Sequence, residues 1–408
     1  MNTTALIDSE LRARADAFIE RWARRPVEGF DQDSAHSLAA GQAGDALAHA
    51  ELAARGRTDP GLALRALTRA AQGDISASPS AGLYWGAPAV AFALHSAGPH
   101  RAHAKALATL HTHIARTADQ RAQQMTERIN RQEPARFGEY DVFFGLTGIG
   151  AYLLRTAPDS PELARVLTAL SALVRPLPLG RARVPGWWVA NDPHNSPTAP
   201  EGGHANLGAA HGITGPLMLL SQASRAGTTA PGQMSAIEHL AAFLLDWSRP
   251  GPTGRWWPEH LTLTEYTART PAQQGPARPS WCYGTPGIAR AGQLAALALG
   301  ERHLRSVFES ALADCLSDPH QLATLSDARL CHGWAGLFQT AWRAAADAAD
   351  PRLAGLLPAL AQRFTAAIPV APSREAGLLD GDAGVVLALL TATEATVETG
   401  WDACLLIN

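Results

Sequence analysis

The 408-residue sequence predicts an all-α protein whose helices form a closed double ring. Such a fold is an α/α-toroid, here with about seven inner and seven outer helices and short rim loops or hairpins. Two observations lead to this fold class. A Gly-x-x-Gly motif recurs along the chain, and a short apolar run follows each copy. Amphipathic segments with a helical period lie between the copies, so each repeat pairs an apolar helix with an amphipathic one.

The glycine motifs mark the predicted start of each apolar helix. Six copies are complete and one ends in alanine: Gly41 to Gly44, Gly86 to Ala89, Gly145 to Gly148, Gly212 to Gly215, Gly284 to Gly287, Gly333 to Gly336 and Gly381 to Gly384. Successive copies begin 45 to 72 residues apart, which is about the length of a helix pair with its loops. Glycine suits this position because it permits a positive φ and a close backbone approach where a loop turns into a helix.

The segments between the motifs carry apolar stripes at helical spacing. The stripe of 235–249 is Ile237, Leu240, Ala241, Leu244 and Trp247, and that of 301–318 is Leu304, Val307, Phe308, Ala311, Leu312 and Cys315. Similar stripes run through 101–120, 160–174 and 350–368. These segments are predicted to be outer helices, each with one face on the inner ring.

All of residues 1–408 are predicted to form a single domain with three inserts at its rim. The inserts lie near 123–140, 184–200 and 251–279 and are predicted to be loops or short hairpins. The first is charged, and the other two are rich in Pro, Gly, Trp and Thr. The plain interpretation of the Trp-Trp pairs in the last two inserts is that they anchor long loops.

Composition excludes several classes of protein. An apolar fraction of 46% and a charged fraction of 17% support a large core, and the net charge of −3 gives no electrostatic case for nucleic-acid binding. The N-terminus lacks the apolar core of a signal peptide, and no segment reaches the roughly 18 apolar residues of a membrane span. We expect a cytoplasmic protein, and the Ala and Arg bias indicates a bacterial, GC-rich source.

Aligning the repeats on their first glycine brings several reactive residues into one register. The residues immediately before that glycine are Ala40, Trp85, Phe144, His211, Tyr283, His332 and Asp380. One position earlier stand Ala39, Tyr84, Phe143, Ala210, Cys282, Cys331 and Leu379. Equivalent positions of a ring converge at one of its ends. We therefore expect Cys282, Cys331, His332 and His211 to meet, although they span 121 residues of sequence.

Cys282, Cys331 and His332 have the chemistry of a zinc site. Two thiolates and one imidazole suit Zn²⁺ and leave a fourth position open for water or substrate. The spacing is not that of a zinc finger, whose ligands come as two local pairs, so a catalytic metal is favoured. The alternative for any cysteine is a small buried apolar residue, which is the role predicted for Cys315 and Cys404.

Three further residues are candidates for the same site. His211 is either a fourth ligand or a general acid/base, with a structural histidine as its plain alternative. Asp141, four residues before Gly145, is either a site residue or an N-cap. Arg278, four residues before Cys282, is either a site residue or a solvated loop arginine.

Four segments together resemble the LanC family of lanthipeptide (lantibiotic) cyclases, of the stand-alone class I type. They are Asp141-Val-Phe-Phe-Gly-Leu-Thr-Gly-Ile-Gly150, Leu207-Gly-Ala-Ala-His-Gly-Ile-Thr-Gly-Pro216, Trp281-Cys-Tyr-Gly-Thr-Pro-Gly287 and Cys331-His-Gly-Trp-Ala-Gly336. The resemblance covers essentially the whole chain. It departs mildly in the first two glycine turns, away from the site. Since 408 residues are too few to include the dehydratase region of the bifunctional enzymes as well, we expect a stand-alone cyclase.

The resemblance implies an α/α-toroid with Zn²⁺ held by Cys282, Cys331 and His332. It further implies that His211 and Asp141 are the acid/base pair and that Arg278 lines the site. The implied activity is carbon–sulfur bond formation by intramolecular thia-Michael addition. Cysteine thiolates of a dehydrated precursor peptide, leader plus core, add to dehydroalanine or dehydrobutyrine and give lanthionine or methyllanthionine rings.

Partners and rival functions follow from the same resemblance. A dehydratase partner is expected, and a loose association with a membrane or transporter is compatible with it. One rival is a LanC-like zinc protein that binds a thiol such as glutathione or acts as a non-catalytic adaptor. A second is another toroid enzyme, a zinc prenyltransferase or a glycosidase, against which the Cys-His-Gly triplet argues. A third is a homologue kept only as a scaffold for a dehydratase, against which the intact site residues argue.

Overall fold

The computed structural model describes residues 6–25, 34–72, 74–78, 80–99, 101–191 and 202–408. The helices in this part of the chain are α1 Ser9–Ala23, α2 Gln42–Ala54, α3 Pro60–Ala70, α4 Ala87–Ser96, α5 Arg101–Asn130, α6 Leu146–Thr156, α7 Pro161–Ser171, α8 Thr214–Arg225, α9 Gln233–Trp247, α10 Leu263–Ala268, α11 Thr285–Leu299, α12 Arg302–Ser317, α13 Pro319–Leu322, α14 Trp334–Asp347, α15 Pro351–Ala367 and α16 Asp382–Glu394. The strands are β1 Leu177–Leu179, β2 Ala182–Val184, β3 His204–Asn206, β4 Arg249–Pro250, β5 Arg255–Trp256 and β6 His260–Thr262. They form three antiparallel pairs, β1 with β2, β3 with β6, and β4 with β5.

The seven predicted apolar helices are all present, each opened by a glycine motif. They are α2, α4, α6, α8, α11, α14 and α16. Six of them begin at the residue after the first glycine of the motif, and α8 begins two residues after it. In α16 every residue from Asp382 to Thr393 is buried, so this helix has no polar face. The repeat prediction is therefore confirmed helix by helix.

The amphipathic helices lie between the apolar ones and begin in a different way. Three of them, α3, α7 and α15, start with proline after a capping Asp59, Ser160 or Asp350, whose side chain accepts a backbone N–H of the first turn. In α9 all five stripe residues predicted from the sequence are buried. In α12 four of the six are buried, and Leu304 and Val307 are half-buried.

The closing glycine of the motif is required by a close backbone approach. A Cβ at Gly336 would lie 1.9 Å from the carbonyl oxygen of Leu330, which belongs to the loop before α14. An added Cβ would likewise meet the carbonyl oxygen of the residue six positions earlier at Gly44, Gly215, Gly287 and Gly384. In these five repeats the first turn of the apolar helix thus rests on the loop that carries the residues of the repeat register.

Substitution Gly336→Ala is expected to destabilise the fold by about 1–3 kcal/mol or more, because backbone atoms cannot move aside as a side chain can. Gly355 is the matched control, since it lies on the exposed face of α15 with no atom within 4 Å of an added Cβ. Gly355→Ala should stabilise by about 0.5–1 kcal/mol, as alanine does inside an exposed helix. Urea unfolding of both variants gives the two values. Equal stability of the two variants would contradict the packing role of Gly336.

The predicted inserts are more ordered than the sequence indicated. Residues 123–130 are the last turns of α5 rather than irregular chain, because Met125 and Ile129 continue the buried stripe of that helix. Of the insert 184–200, residues 192–200 lie outside the described residues. The insert 251–279 contains β5, β6 and the unexpected helix α10, which opens with a capping box of Thr262 and Glu265. The tryptophans of these inserts do anchor loops; for example, Trp257 Nε1 donates to the Leu244 carbonyl at 2.6 Å.

Packing divides the chain into two compact units. The first comprises Met1–Ile114 and Ala323–Cys404, and the second Ala115–Leu322 and Leu405–Asn408. Inside the first unit, α16 packs against α2 and α14, so the last repeat contacts the first. Inside the second unit, α8 packs against α6 and α11.

No helix in the described part of the chain is long and apolar enough to cross a membrane.

Candidate functional site

In the second unit, backbone hydrogen bonds tie together the loops that precede α6, α8 and α11. Val142 N donates to the carbonyl of Ala210 at 3.0 Å, and the amides of Ala209 and Ala210 both donate to the carbonyl of Cys282, at 2.9 and 3.3 Å. The loop that ends in His211 therefore lies between the loop of Asp141 and the loop of Cys282. Residues that are far apart in sequence become neighbours because they share a register.

The first unit repeats this arrangement in the loops that precede α2, α4, α14 and α16. Leu38 N donates to the Tyr84 carbonyl at 3.0 Å, Leu379 N to that of Ala39 at 2.9 Å, and Cys331 N to that of Leu379 at 3.4 Å. Within each unit, these bonds thus join positions of neighbouring repeats that are equivalent or one residue apart in the register. This pattern is the physical basis of the register that the sequence indicated.

Asp141 and His211 form a hydrogen-bonded pair in the second unit. Asp141 is 1% exposed, and its Oδ2 lies 2.6 Å from Nδ1 of His211. Its other oxygen, Oδ1, accepts the amides of Phe144 and Gly145 at 2.8 and 2.7 Å. Asp141 therefore holds the turn before α6 and orients the imidazole at the same time, but it is not the N-cap of α6, which is Gly145. With Nδ1 bonded to the carboxylate, Nε2 of the partly exposed His211 is the nitrogen left available for other partners.

Three phenylalanine rings surround the imidazole of His211. The ring centroids of Phe143, Phe137 and Phe144 lie 4.7, 5.3 and 6.3 Å from that of His211. Phe144 is 39% exposed, so part of this cluster faces solvent. Phe143 and Phe144 stand at register positions, whereas nothing in the sequence pattern indicated Phe137. These rings give His211 a partly apolar surrounding beside the buried Asp141 carboxylate.

Cys282 is the thiol of the second unit and lies in the loop before α11. It is 7% exposed, and its Sγ is 3.5 Å from Oγ of Ser280. Gly284 permits the turn that follows, because its φ is +92° and a Cβ there would lie 2.5 Å from the Arg278 carbonyl oxygen. A thiol held by such a turn has a fixed direction, as a metal ligand needs.

Cys331 and His332 are half-buried neighbours in the loop before α14. Nε2 of His332 lies 3.6 Å from Oδ2 of Asp327, while the amide of Arg329 fixes the other Asp327 oxygen at 2.7 Å. A carboxylate beside one ring nitrogen leaves the opposite nitrogen, Nδ1, for a metal. Burial raises the pKa of the Asp380 carboxyl, and the interaction with His332 offsets part of this rise.

Cys282, Cys331 and His332 form the one group of potential metal ligands found among the described residues. Their ligand atoms all lie within 4.8 Å of one another. In a tetrahedral zinc site the ligand atoms are about 3.3–3.8 Å apart, given bond lengths of about 2.0–2.3 Å, so a small adjustment suffices. Two soft thiolates and an imidazole are also the donors that Zn²⁺ prefers. The residues therefore fit this metal, and His211 is not among them.

The remaining candidates have simpler surroundings. Cys315 and Cys404 are buried core residues, 2% and 0% exposed, as predicted. The Cys315 thiol donates to Gln321, and its burial raises its pKa. The Arg278 side chain is exposed, with no hydrogen bond or ion pair within the described part of the chain. Its role toward substrate therefore stays a prediction.

Comparison with known proteins places the chain in a family. The family model described as lanthionine synthetase C-like protein matches residues 33–406. The nisin biosynthesis protein NisC of Lactococcus lactis subsp. lactis is 24% identical over 207 residues, and this match covers 49% of the chain and about half, 48%, of that protein. A solved structure of nisin cyclase is similar over 98% of both chains, with a TM-score of 0.75 at 19% identity, which confirms the predicted fold class. The chain belongs to the lanthionine synthetase C-like family.

Proposed function

We propose that the protein is a zinc-dependent lanthipeptide cyclase. It adds cysteine thiolates of a dehydrated precursor peptide to dehydroalanine or dehydrobutyrine and so forms thioether rings. The observation that carries this proposal is the cluster of Cys282, Cys331 and His332 in a chain of this family. The Asp141–His211 pair supplies the second element of the chemistry.

Cys282, Cys331 and His332 would hold the metal and leave one position open. A free cysteine thiol has a pKa of about 8.5 and is mostly protonated near neutral pH. When bound, Zn²⁺ would keep the thiol of the peptide deprotonated, and so nucleophilic. The two protein thiolates already balance the charge of the ion, so the added sulfur would retain its electron density.

His211 would handle the proton of the reaction. Formation of the carbon–sulfur bond at Cβ of the dehydro residue leaves an enolate, and protonation of its Cα completes the ring. The imidazolium of His211 would donate this proton from Nε2, since Nδ1 is bonded to Asp141. The proton released by the peptide thiol restores the imidazolium, so the cycle is balanced. Arg278 is proposed to stabilise the enolate oxygen.

The substrate class and partners follow from the same proposal. The peptide must already contain dehydrated Ser or Thr residues, so a dehydratase has to act before this protein. The exposed Phe144 ring beside His211 offers an apolar contact to the peptide near the reacting residue. A loose association with a membrane or transporter and a cytoplasmic location remain part of the proposal.

The proposal is tested with a chemically dehydrated peptide that contains one cysteine and one dehydroalanine. Cyclisation leaves the mass unchanged, so residual thiols are alkylated and counted by mass spectrometry. The proposal expects loss of the alkylated species with time and a thioether in the fragment spectrum. Zinc-loaded protein that binds the peptide or glutathione but leaves every thiol free would instead support the thiol-binding or adaptor alternative.

Asp141→Asn is expected to slow cyclisation within the ~10²–10⁴-fold range of general acid–base catalysis, but less than loss of the imidazole itself. Asparagine retains an Oδ1 that can accept the Phe144 and Gly145 amides, so the turn should persist. Its amide in place of Oδ2 no longer stabilises a positive charge on His211. Rates come from the thiol assay, with thermal unfolding as the control for folding. An unchanged rate would show that the imidazole needs no charged partner.

A further inference from the structure

An arginine of α5 contacts the turn that presents Asp141. Nη1 of Arg121 donates to the carbonyl oxygen of Phe144 at 2.5 Å. Arg121 is half-buried and stands outside every glycine motif. It lies in α5, two residues before the rim insert predicted near 123–140.

Both backbone polar groups of Phe144, its amide and its carbonyl, are hydrogen-bonded to side chains. Its amide donates to Oδ1 of Asp141 at 2.8 Å, and its carbonyl accepts from Arg121. The next amide, of Gly145, donates to the same carboxylate oxygen at 2.7 Å. Arg121 therefore fixes the turn whose amides fix Asp141, and Asp141 in turn fixes the ring of His211 at 2.6 Å.

The charge of Arg121 is coupled to the charge of Asp141. Burial lowers the pKa of Arg121, and the negative charge of Asp141 offsets part of this shift. Asp141 is 1% exposed, so it depends on nearby positive charge. That charge is lost from the imidazole each time His211 gives up its proton, whereas an arginine stays charged.

We propose that Arg121 is a positioning residue of the Asp141–His211 pair, which it serves by holding the Phe144 carbonyl and by compensating the buried carboxylate after proton transfer. The consequence for turnover rests on the proposed function, because it acts through His211. The effect on the turn does not, because it depends only on hydrogen bonds inside the second unit.

The first test measures amide hydrogen exchange in Arg121→Met. The amides of Phe144 and Gly145 should exchange at least about tenfold faster, with zinc content unchanged. Arg131→Met is the matched control, since Arg131 follows the end of α5 and its side chain is 57% exposed in an ion pair with Glu133. Exchange at 144–145 should be unaltered in this control. Equal protection of both amides in Arg121→Met would overturn the proposal.

The second test is a double-mutant cycle on cyclisation. Arg121→Met should lower kcat by about tenfold to hundredfold, since small misplacements of a reacting group cost this much, and Arg121→Lys should restore part of the rate. In an Asp141→Asn background, Arg121→Met should change kcat by less than about twofold, because it acts through Asp141. If Arg121→Met lowers kcat by the same factor with and without Asp141→Asn, the two effects are independent and the positioning role is overturned. If the unaltered protein cyclises no dehydrated peptide, the proposed function fails, and the exchange experiment still decides the role of Arg121.

Discussion

Cys331→Ala and Cys282→Ala are each expected to abolish zinc binding and ring formation together. A site with three protein ligands loses a third of its donors with either change, and the thiolates are the stronger ones. Zinc content should fall from about one ion per chain to a small fraction of that. Cyclisation should fall by at least ~10²-fold, since the metal accounts for several kcal/mol of the barrier. Zinc is measured by mass spectrometry of the metal and ring formation by thiol alkylation.

Two other cysteines provide matched controls for this prediction. Cys315 and Cys404 are buried and bonded to Gln321 and to the Trp401 carbonyl, away from the glycine register. Cys315→Ala and Cys404→Ala should keep zinc and activity and change only stability. Full zinc in both Cys282→Ala and Cys331→Ala would refute the ligand assignment. Loss of cyclisation in a folded Cys315→Ala protein would show that the register selects the wrong thiols.

His211→Ala is expected to separate proton transfer from metal binding. The variant should keep zinc, because His211 is not among the clustered ligands. It should lose about 10²–10⁴-fold in cyclisation rate, because the enolate would lack a positioned proton donor. The Asp141 carboxylate would also lose its 2.6 Å partner, so a moderate loss of stability is expected beside the loss of rate.

His239→Ala is the control, since His239 lies on the exposed face of α9. It should behave as the unaltered protein in zinc content, rate and thermal unfolding. A His211→Ala protein without zinc would make His211 a fourth ligand and the metal structural. A variant that keeps both zinc and full rate would assign the proton to another residue or to water.

The repeat helices and the register could be predicted from the sequence because both depend on local geometry. The closing glycines are required wherever the first helical turn rests on the preceding loop, as at Gly336. This requirement leaves a closing glycine in six of the seven repeats, and the second repeat has Ala89 instead. Equivalent loops then pair through backbone hydrogen bonds, such as that from Ala209 to Cys282, so alignment of the motifs alone brings the reactive residues together.

The features that sequence reasoning missed depend on contacts between unrelated segments. Arg121 reaches the Phe144 carbonyl across 23 residues, and no periodicity marks such a contact. The helical end of α5 did leave a signal, since Met125 and Ile129 continue the apolar spacing, but the charged residues around them obscured it. Arg278 shows the opposite case. It stands close to a glycine motif in the sequence, but its side chain is exposed, so proximity to the motif does not predict contacts.

The dependence of cyclisation on bound zinc tests the central claim most directly. Metal-free protein is titrated with Zn²⁺, and the rate of thiol loss in a dehydrated peptide is measured at each ratio. We predict that the rate rises in proportion to bound zinc and saturates at about one ion per chain, as a single three-ligand site requires. Equal cyclisation by metal-free and zinc-loaded protein, or none by the zinc-loaded protein, would contradict the account.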